Sequence, residues 1–256
     1  MTRFALKLEY DGRGFVGWQR QSNGVSVQQV VEQAGAHLCG GVPPVTVAAG
    51  RTDAGVHAEG QVVQAEFPGG LTTRTVRDAL NFHMRPHAVT VVAAGVISDE
   101  CWSARFSAVA REYRYVILNR AARPALDAGF VWHVRRPLDA ERMQLAAIAL
   151  LGRHDFTSFR ATACQARSPV RTLDRLDIGR RGDRIEIRVG ARSFLHHQVR
   201  NIVGSLKLVG EGKWPVERIA AVLAARDRAA AGPTAPPDGL TLMSVAYPLD
   251  PFAGQQ

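Results

Sequence analysis

The sequence is poor in cysteine and has no long hydrophobic run. Three cysteines, Cys39, Cys101 and Cys164, are scattered through 256 residues, which excludes a disulfide framework and a cysteine-paired metal motif and favours a reducing cytosol. No apolar run is long enough to span a bilayer, and the opening residues MTRFALKLEY alternate instead of forming a signal-peptide core. We therefore expect a cytoplasmic protein with no membrane partner.

Several familiar cofactor and catalytic motifs are also missing. The chain has no P-loop glycine pattern, no Rossmann fingerprint and no serine or cysteine nucleophile motif. His196 and His197 are expected to point apart on a helix, and no cysteine or carboxylate completes a ligand set with them. We therefore expect no cofactor and no metal site.

Positive charge is the main compositional excess. The formal net charge is +9 and the isoelectric point is about 10.3. Only three of the 32 basic residues are lysine, which leaves 29 arginines, a preference that could also reflect a GC-biased genome. The net sign favours a polyanion partner, nucleic acid above all, because arginine pairs with phosphate through its planar fork and stacks on bases.

Hydrophobic periodicity predicts an α+β protein of two similar halves, residues 1–107 and 108–256. The first half is expected to run strand, helix, strand, strand, helix, strand, and the second to repeat this plan with an added helix. We expect ferredoxin-like, RRM-like halves with abutting mixed, mostly antiparallel sheets flanked by helices. The predicted strands are 3–10, 43–50, 57–67, 88–98, 111–120, a hairpin over 172–191 and 240–248. The first predicted helix begins at Ser26, which is expected to cap it. The other predicted helices cover 75–84, 139–152, 193–210 and 215–228, and Asp139 is the expected cap of the helix that begins there.

One loop of the first half places a carboxylate between two glycines. In AGRTDAGVHAEGQV, residues 49–62, Asp53 lies between Gly50 and Gly55 and two residues after Arg51. The glycines permit close backbone approach, and an aspartate kept ionised by an arginine suits a nucleophile or electrostatic stabiliser better than a general acid. An ordinary Asp-x-Gly turn would use the same residues.

A strand of the second half combines tyrosine with arginine. In REYRYVILN, Tyr113 and Tyr115 lie at strand spacing on one face, and Arg105, Arg111 and Arg114 flank them. A tyrosine on such a face can stack on a nucleobase, or it can be an ordinary packing residue of the sheet.

Two further segments carry basic candidates. In SFLHHQVRNIVG, helical spacing would put Ser193, His196 and Arg200 on one stripe, which could face a carboxylate or solvent. CQARSPVR adds a basic loop with Arg167 and Arg171, which could also be merely solvated.

Taken in order, seven segments resemble the TruA-type tRNA pseudouridine synthases. They are EYDGRGFVGWQRQ, GRTDAGVHAEGQV, ARFSAVAREYRYVILN, GRHDFTSF, QARSPVRTL, FLHHQVRNIVGSL and GLTLMSV, spread from about residue 3 to about residue 248. The resemblance implies the pseudouridine synthase fold and the isomerisation of uridine to pseudouridine on the 3′ side of the tRNA anticodon stem-loop, at positions 38, 39 or 40. It also implies a homodimer that uses neither cofactor nor metal.

The same resemblance assigns roles to individual residues. It implies that Asp53 is the nucleophile, that Arg200 pairs with it, that Tyr113 packs on the target base, and that Arg51 helps to turn the nucleotide out. Leu240 and Leu242 would form an apolar wall that excludes water from the site. The expected RNA contacts are Trp102, Ser103, Ala104, Arg105 and Phe106, together with Gln165, Ala166, Arg167, Ser168 and Pro169.

Two other functions stay open at this point. A catalytically silent RNA-binding protein could use the same scaffold, and a carboxylate-dependent nucleosidase would need a second acid, for which Glu59 is the one close candidate.

NFHMRPHAVTVV departs from the family pattern, because His87 and Ala88 stand where the family has an acid and a β-branched residue. The shape of that loop is therefore not predicted.

Overall fold

A computed structural model describes residues 1–253, which form two compact units. Unit 1 comprises Met1–Arg111 and the residues from Leu242 onward, and unit 2 comprises Glu112–Thr241. The sequence predicts a division after residue 107, with all of residues 108–256 in the second half. In the structure the division follows Arg111, and unit 1 also includes the last strand from Leu242.

Unit 1 follows the predicted order of elements. They are β1 (Thr2–Tyr10), α1 (Val27–Ala36), β2 (Val47–Ala48), β3 (His57–Phe67), α2 (Thr73–His83) and β4 (Val89–Ile97). β1 pairs antiparallel with β3 and with β4, and β2 pairs antiparallel with β3. The second strand is in the predicted place but has only two residues, because residues 43–46 and 49–50 lie outside any element.

Unit 2 contains more strands than the repeat of unit 1 would require. Its elements are β5 (Ala110–Leu118, in unit 2 from Glu112), β6 (Trp132–His133), α3 (Ala140–Ala147), β7 (Gly152–Asp155), β8 (Val170–Arg181), β9 (Arg184–Ala191), α4 (Gln198–Gly210), α5 (Arg218–Ala225) and the start of β10 (Leu240–Ala246). β8 and β9 form the predicted hairpin, β7 pairs antiparallel with β8, and β6 pairs parallel with β5. The α+β class is confirmed, whereas β6 and β7 were not predicted.

Side-chain caps begin three of the helices. Ser26 Oγ accepts a hydrogen bond from the Gln29 amide at 3.2 Å, and Asp139 Oδ1 accepts one from the Arg142 amide at 2.9 Å. Both caps were predicted from the sequence and are confirmed. Thr72 caps α2 in the same way.

Both faces of the unit 1 sheet are covered. Phe4, Leu6 and Leu8 of β1 are fully buried, and so are Val76 and Leu80 of α2. The opposite face carries a separate cluster of Ala5, Ala49, Val62 and Ala104, against which Ile97, Trp102, Val245, Tyr247 and Phe252 pack. Loop residues and the residues that follow the C-terminal strand therefore supply the second cover that helices supply in many α+β proteins.

The unit 1 part of β10 lies beside β3. Their approach is close at Gly60, where a Cβ would overlap the carbonyl oxygen of Met243. Throughout residues 1–253, no helix has the combined length and hydrophobicity needed to cross a bilayer.

Gly204 provides a test of the packing around α4. A Cβ at Gly204 would overlap the carbonyl oxygen of Pro233. We expect Gly204→Ala to lower the free energy of unfolding by about 1–3 kcal/mol, because overpacking against backbone outweighs the gain of about 1 kcal/mol in helix propensity. Denaturant titration measures this change.

The matched control is Gly179→Ala in β8, where the added Cβ meets no heavy atom within 4 Å. We expect that variant to stay within about 0.5 kcal/mol of the parent. Equal losses at the two positions would contradict the packing argument.

Candidate active site

Asp53 lies in the loop between β2 and β3, as predicted. The Val56 amide donates to the Asp53 carbonyl oxygen at 3.1 Å, and Gly55 has a φ of +79°, a left-handed conformation that favours glycine. The Asp-x-Gly pattern therefore does form a tight turn. The Asp53 side chain is half-buried on this turn, and the Arg51 side chain is exposed.

A second glycine-rich loop, residues 11–18, hydrogen-bonds to the Asp53 turn. The Trp18 amide donates to the Thr52 carbonyl at 3.0 Å, and the Gly55 amide donates to the Phe15 carbonyl at 3.3 Å. Thr52 and Gly55, the two residues of the turn that form these bonds, lie on either side of Asp53. The backbone that carries the carboxylate is therefore held by a segment that precedes it by about 40 residues.

The glycines of that second loop permit the approach. A Cβ at Gly12 would overlap the Val56 carbonyl oxygen, and one at Gly17 would lie 2.7 Å from the Thr52 carbonyl oxygen. Gly17 also has a φ of +107°. The Gly12 amide donates to Nδ1 of buried His57 at 3.0 Å. Since His57 is the first residue of β3, this bond also ties the loop to that strand.

Three buried polar side chains hold the start of the Asp53 turn. The hydroxyls of Tyr10 and Thr52 lie 2.8 Å apart. Gln61 Nε2 donates to the Gly50 carbonyl at 2.7 Å and reaches the Tyr10 hydroxyl at 3.5 Å. Burial raises the pKa of Tyr10 to about 12, so its hydroxyl keeps its proton at neutral pH. These bonds fix the residues on either side of Arg51.

The predicted RNA-contact segment 102–106 is only partly exposed. Trp102 packs against Tyr247, with ring centroids 5.2 Å apart, and the Tyr247 hydroxyl donates to the carbonyl of buried Ala104 at 2.6 Å. Ser103 is half-buried and caps the following turn. Arg105 and Phe106 are the exposed members, and the Arg105 guanidinium lies 5.6 Å from the Phe106 ring centroid.

Arg111, one of the arginines that flank the tyrosines of β5, connects backbone segments of unit 1. It is buried, and its Nη2 donates to the carbonyls of Ala49 at 2.7 Å and Arg105 at 2.8 Å. Burial and backbone partners leave this guanidinium unable to face a phosphate. Arg111 instead joins the strand before the Asp53 turn to the 102–106 segment.

In unit 2 the two tyrosines of β5 lie on one face, as predicted. Tyr115 is fully buried, and its hydroxyl donates to the Pro236 carbonyl at 2.8 Å. Tyr113 retains 9% exposure and packs edge-to-face against Phe194, with ring centroids 5.2 Å apart. The packing interpretation therefore holds for Tyr115, and Tyr113 is also largely buried beside Phe194.

The predicted stripe of Ser193, His196 and Arg200 does not form. α4 begins at Gln198, and His197 adopts a left-handed conformation with a φ of +60°, so Ser193 and His196 lie outside the helix. The expectation that the two histidine rings point apart was also wrong, since their centroids are 4.0 Å apart. Arg200 is on the helix, where its Nε donates to the Ala235 carbonyl at 2.8 Å.

The remaining predicted site residues lie in different environments. Leu240 and Leu242, the expected apolar wall, are both buried in β10, Leu240 in unit 2 and Leu242 in unit 1. Residues 165–169 form a loop before β8 in which Gln165, Arg167 and Ser168 are exposed and Ala166 and Pro169 are half-buried.

Comparison with known proteins decides the family. A family model described as tRNA pseudouridine synthase matches residues 146–248. A protein of Acidiphilium cryptum named tRNA pseudouridine synthase A is 67% identical to this chain over 252 residues, which is 98% of this chain and 99% of that protein. The chain belongs to the tRNA pseudouridine synthase A family. Proteins of the same name from Gluconobacter oxydans and Rhodospirillum rubrum are each 54% identical, over 98% and 97% of this chain and 92% and 88% of theirs.

Membership of the tRNA pseudouridine synthase A family confirms the resemblance that the ordered motifs indicated, and it makes the chain an enzyme of the isomerase class. The sequence did not single out Tyr10, Gln61, Gly12, Gly17 or His57, which position the Asp53 turn. Their signal was present only indirectly, since they lie inside or beside two of the matching segments.

The hydrogen bond between Tyr10 and Thr52 can be tested through the mobility of the turn. We expect Tyr10→Phe to accelerate amide hydrogen exchange across residues 51–56, because Thr52 then keeps a buried hydroxyl without this partner. Exchange measured by mass spectrometry on peptides covering the turn reports the effect.

Thr72→Ala is the control, because it removes the cap of α2 at a similar cost in stability, about 1 kcal/mol, without touching the turn. Unchanged exchange in Tyr10→Phe, or an equal acceleration in Thr72→Ala, would show that the hydroxyl pair does not hold the turn.

Proposed function

We propose that this chain isomerises uridine to pseudouridine on the 3′ side of the tRNA anticodon stem-loop, at positions 38, 39 or 40, with Asp53 as the nucleophile. The conversion of uridine to pseudouridine in tRNA follows from family membership. The assignment of Asp53 is supported chiefly by the turn at residues 50–56. There the main chain is fixed on both sides of a carboxylate that is not packed into the core.

The proposed chemistry needs one nucleophile and no redox partner. The N1–C1′ bond of uridine breaks, a C5–C1′ bond forms, C5 loses a proton and N1 gains one, so atoms and electrons balance within the substrate. A carboxylate that bonds covalently to the sugar or to the base while the ring turns would split this change into two easier steps. The proposal therefore requires neither a cofactor nor a metal.

The other predicted residues would serve the flipped nucleotide. Turning a paired base out of a stem costs a few kcal/mol, and stacking on Tyr113 would offset about 1–3 kcal/mol of it. The edge-to-face contact between the Tyr113 and Phe194 rings supports this role, because it helps to orient the Tyr113 ring. Arg51 would help turn the nucleotide out, Arg200 would keep Asp53 charged, and the apolar wall of Leu240 and Leu242 would keep water from the intermediate.

We further propose that the working form is a cytoplasmic homodimer whose two subunits both contact the tRNA, as the resemblance implies. The RNA contacts would include residues 102–106, through exposed Arg105 and Phe106, and the loop 165–169. Sedimentation of the free chain and of its tRNA complex measures the oligomeric state directly.

Asp53→Asn is the decisive substitution for the nucleophile. We expect it to abolish pseudouridine formation in a uridine-bearing tRNA transcript and to leave the dissociation constant for that tRNA within about threefold, because the amide keeps the shape but cannot attack. Chemical mapping of pseudouridine, with the purified protein as the sole addition, gives the reaction, the position and the independence from cofactors together.

Glu59→Gln is the matched control, because Glu59 is an exposed acid six residues further along the same motif. We expect it to retain activity. Pseudouridine made by Asp53→Asn would refute the nucleophile assignment. Free uracil as the product together with an inactive Glu59→Gln would favour the nucleosidase, and tRNA binding by the parent chain without any pseudouridine would favour a silent RNA-binding protein.

A further inference from the structure

A proline-rich loop of unit 2, residues 231–239, leads into β10 and packs against α4. Two glycines permit this approach. A Cβ at Gly204 of α4 would overlap the Pro233 carbonyl oxygen, and a Cβ at Gly232 would lie 2.9 Å from the Cα of Ser205. The Gly232 amide also donates to Ser205 Oγ at 2.9 Å. The main chain of the 231–239 loop is therefore held directly on the helix that carries Arg200.

The same loop contacts Arg200 at two points. The Ala235 amide donates to the Arg200 carbonyl oxygen at 3.1 Å, and Arg200 Nε donates to the Ala235 carbonyl oxygen at 2.8 Å. Ala235 is buried, whereas Arg200 is half-buried. Because a guanidinium is planar, a hydrogen bond at Nε restricts the direction in which its terminal nitrogens point. The position of the Ala235 carbonyl therefore orients the Arg200 side chain.

A polar network fixes Thr234, the residue that precedes Ala235. Thr234 Oγ1 donates to Asn201 Oδ1 at 2.7 Å and accepts a hydrogen bond from Arg228 Nη2 at 3.1 Å. Arg228 Nη2 also donates to Asn201 Oδ1 at 3.2 Å, so the three side chains form a closed ring of hydrogen bonds. Asn201 is fully buried, and its Nδ2 donates to the Phe159 carbonyl at 2.8 Å. Thr234 is thereby tied both to α4 and to the segment that follows α5.

Ala235 has a side-chain anchor on its other side as well. The Tyr115 hydroxyl donates to the carbonyl oxygen of Pro236 at 2.8 Å. A shift of the loop would break hydrogen bonds of groups that are poorly accessible to water, and such bonds are costly to lose in a protein interior. The network therefore specifies one placement of Ala235, which an apolar contact of the same size would not do.

We propose that Thr234 is a positioning residue for the reaction, because its hydroxyl, bonded to Asn201 and Arg228, fixes the Ala235 carbonyl that orients the Arg200 guanidinium. This proposal rests on the proposed function, in which Arg200 keeps a carboxylate charged. An arginine pairs with a carboxylate through directional hydrogen bonds, so a tilt of the guanidinium plane weakens the pair. The Thr234 hydroxyl therefore acts on the catalytic rate through Arg200.

Thr234→Val tests this role, because it removes the hydroxyl and keeps the branched shape. We expect kcat for pseudouridine formation in a tRNA transcript to fall about tenfold while KM stays within about threefold, since a small misplacement near the reacting centre slows the chemical step. Thr234→Ser keeps the hydroxyl and should stay within about twofold of the parent's kcat. A Thr234→Val chain as fast as the parent, or a Thr234→Ser chain as slow as Thr234→Val, would overturn the proposal.

A double-mutant cycle separates positioning from a loss of stability. Added to Arg200→Ala, Thr234→Val should lower kcat no further, because the group that the hydroxyl orients is already absent. The same fold loss in both backgrounds would assign Thr234 to the fold alone and overturn the proposal. Asp139→Ala is the stability control, since it removes the side-chain cap of α3 in the same unit. It should keep the parent's kcat, and a loss equal to that of Thr234→Val would also count against positioning.

The Nε–H proton of Arg200 gives a readout that does not depend on catalysis. In NMR spectra of the isotope-labelled chain, we expect this proton to exchange with water faster in Thr234→Val than in the parent and in Thr234→Ser, because its bond to Ala235 opens more often. Equal exchange in all three chains would refute the positioning of Arg200, whether or not the parent forms pseudouridine. Faster exchange in Thr234→Val while the parent forms no pseudouridine would uphold the positioning and refute the proposed function.

Discussion

The hydrogen bond between the buried hydroxyls of Tyr10 and Thr52 is the constraint on which the position of the Asp53 turn depends. Tyr10 is the last residue of β1, and Thr52 directly precedes Asp53, so this bond fixes the position of the turn relative to the sheet. Neither hydroxyl has ready access to water, because both residues are buried. An alternative placement of the turn would therefore leave the buried Tyr10 hydroxyl with only the longer bond from Gln61, and an unsatisfied buried hydroxyl costs about 1–3 kcal/mol.

The arginines of this chain differ in burial. Arg111 is buried and donates to backbone carbonyls, whereas Arg153 and Arg192 are exposed at the ends of strands. A net charge of +9 consequently does not measure the RNA-binding surface. Burial and backbone partners decide which guanidinium groups can meet a phosphate, and the sequence shows neither.

The sequence predicted the elements whose signals are local. The period-2 pattern of β1, β3 and the β8–β9 hairpin, and the caps at Ser26 and Asp139, depend on residues within a few positions, and the structure confirms them. β6 and β7 have two and four residues, which is too short for a periodicity to appear. The helical pattern over 193–210 begins before the true start of α4 at Gln198, because nothing in the sequence shows that His197 adopts a left-handed conformation.

The residues of the candidate site also divide into those with a local sequence signal and those without one. The glycines and the carboxylate of residues 49–62 form a local signal, and the ordered motifs indicated the family that the comparisons confirm. The sequence did not single out Tyr10 or Gln61, since their importance arises from the pairing of β1 with β3, which brings two distant residues to the same turn.

The two-part composition of unit 1 has a consequence for synthesis of the chain. Its first 111 residues leave the ribosome 130 residues before Leu242 does, and only then does β10 come to lie beside β3. At about 5–20 residues per second, that edge of β3 stays without this neighbour on the order of ten seconds. During this interval the nascent chain displays an open strand edge, the kind of surface that chaperones protect and that otherwise pairs with another polypeptide.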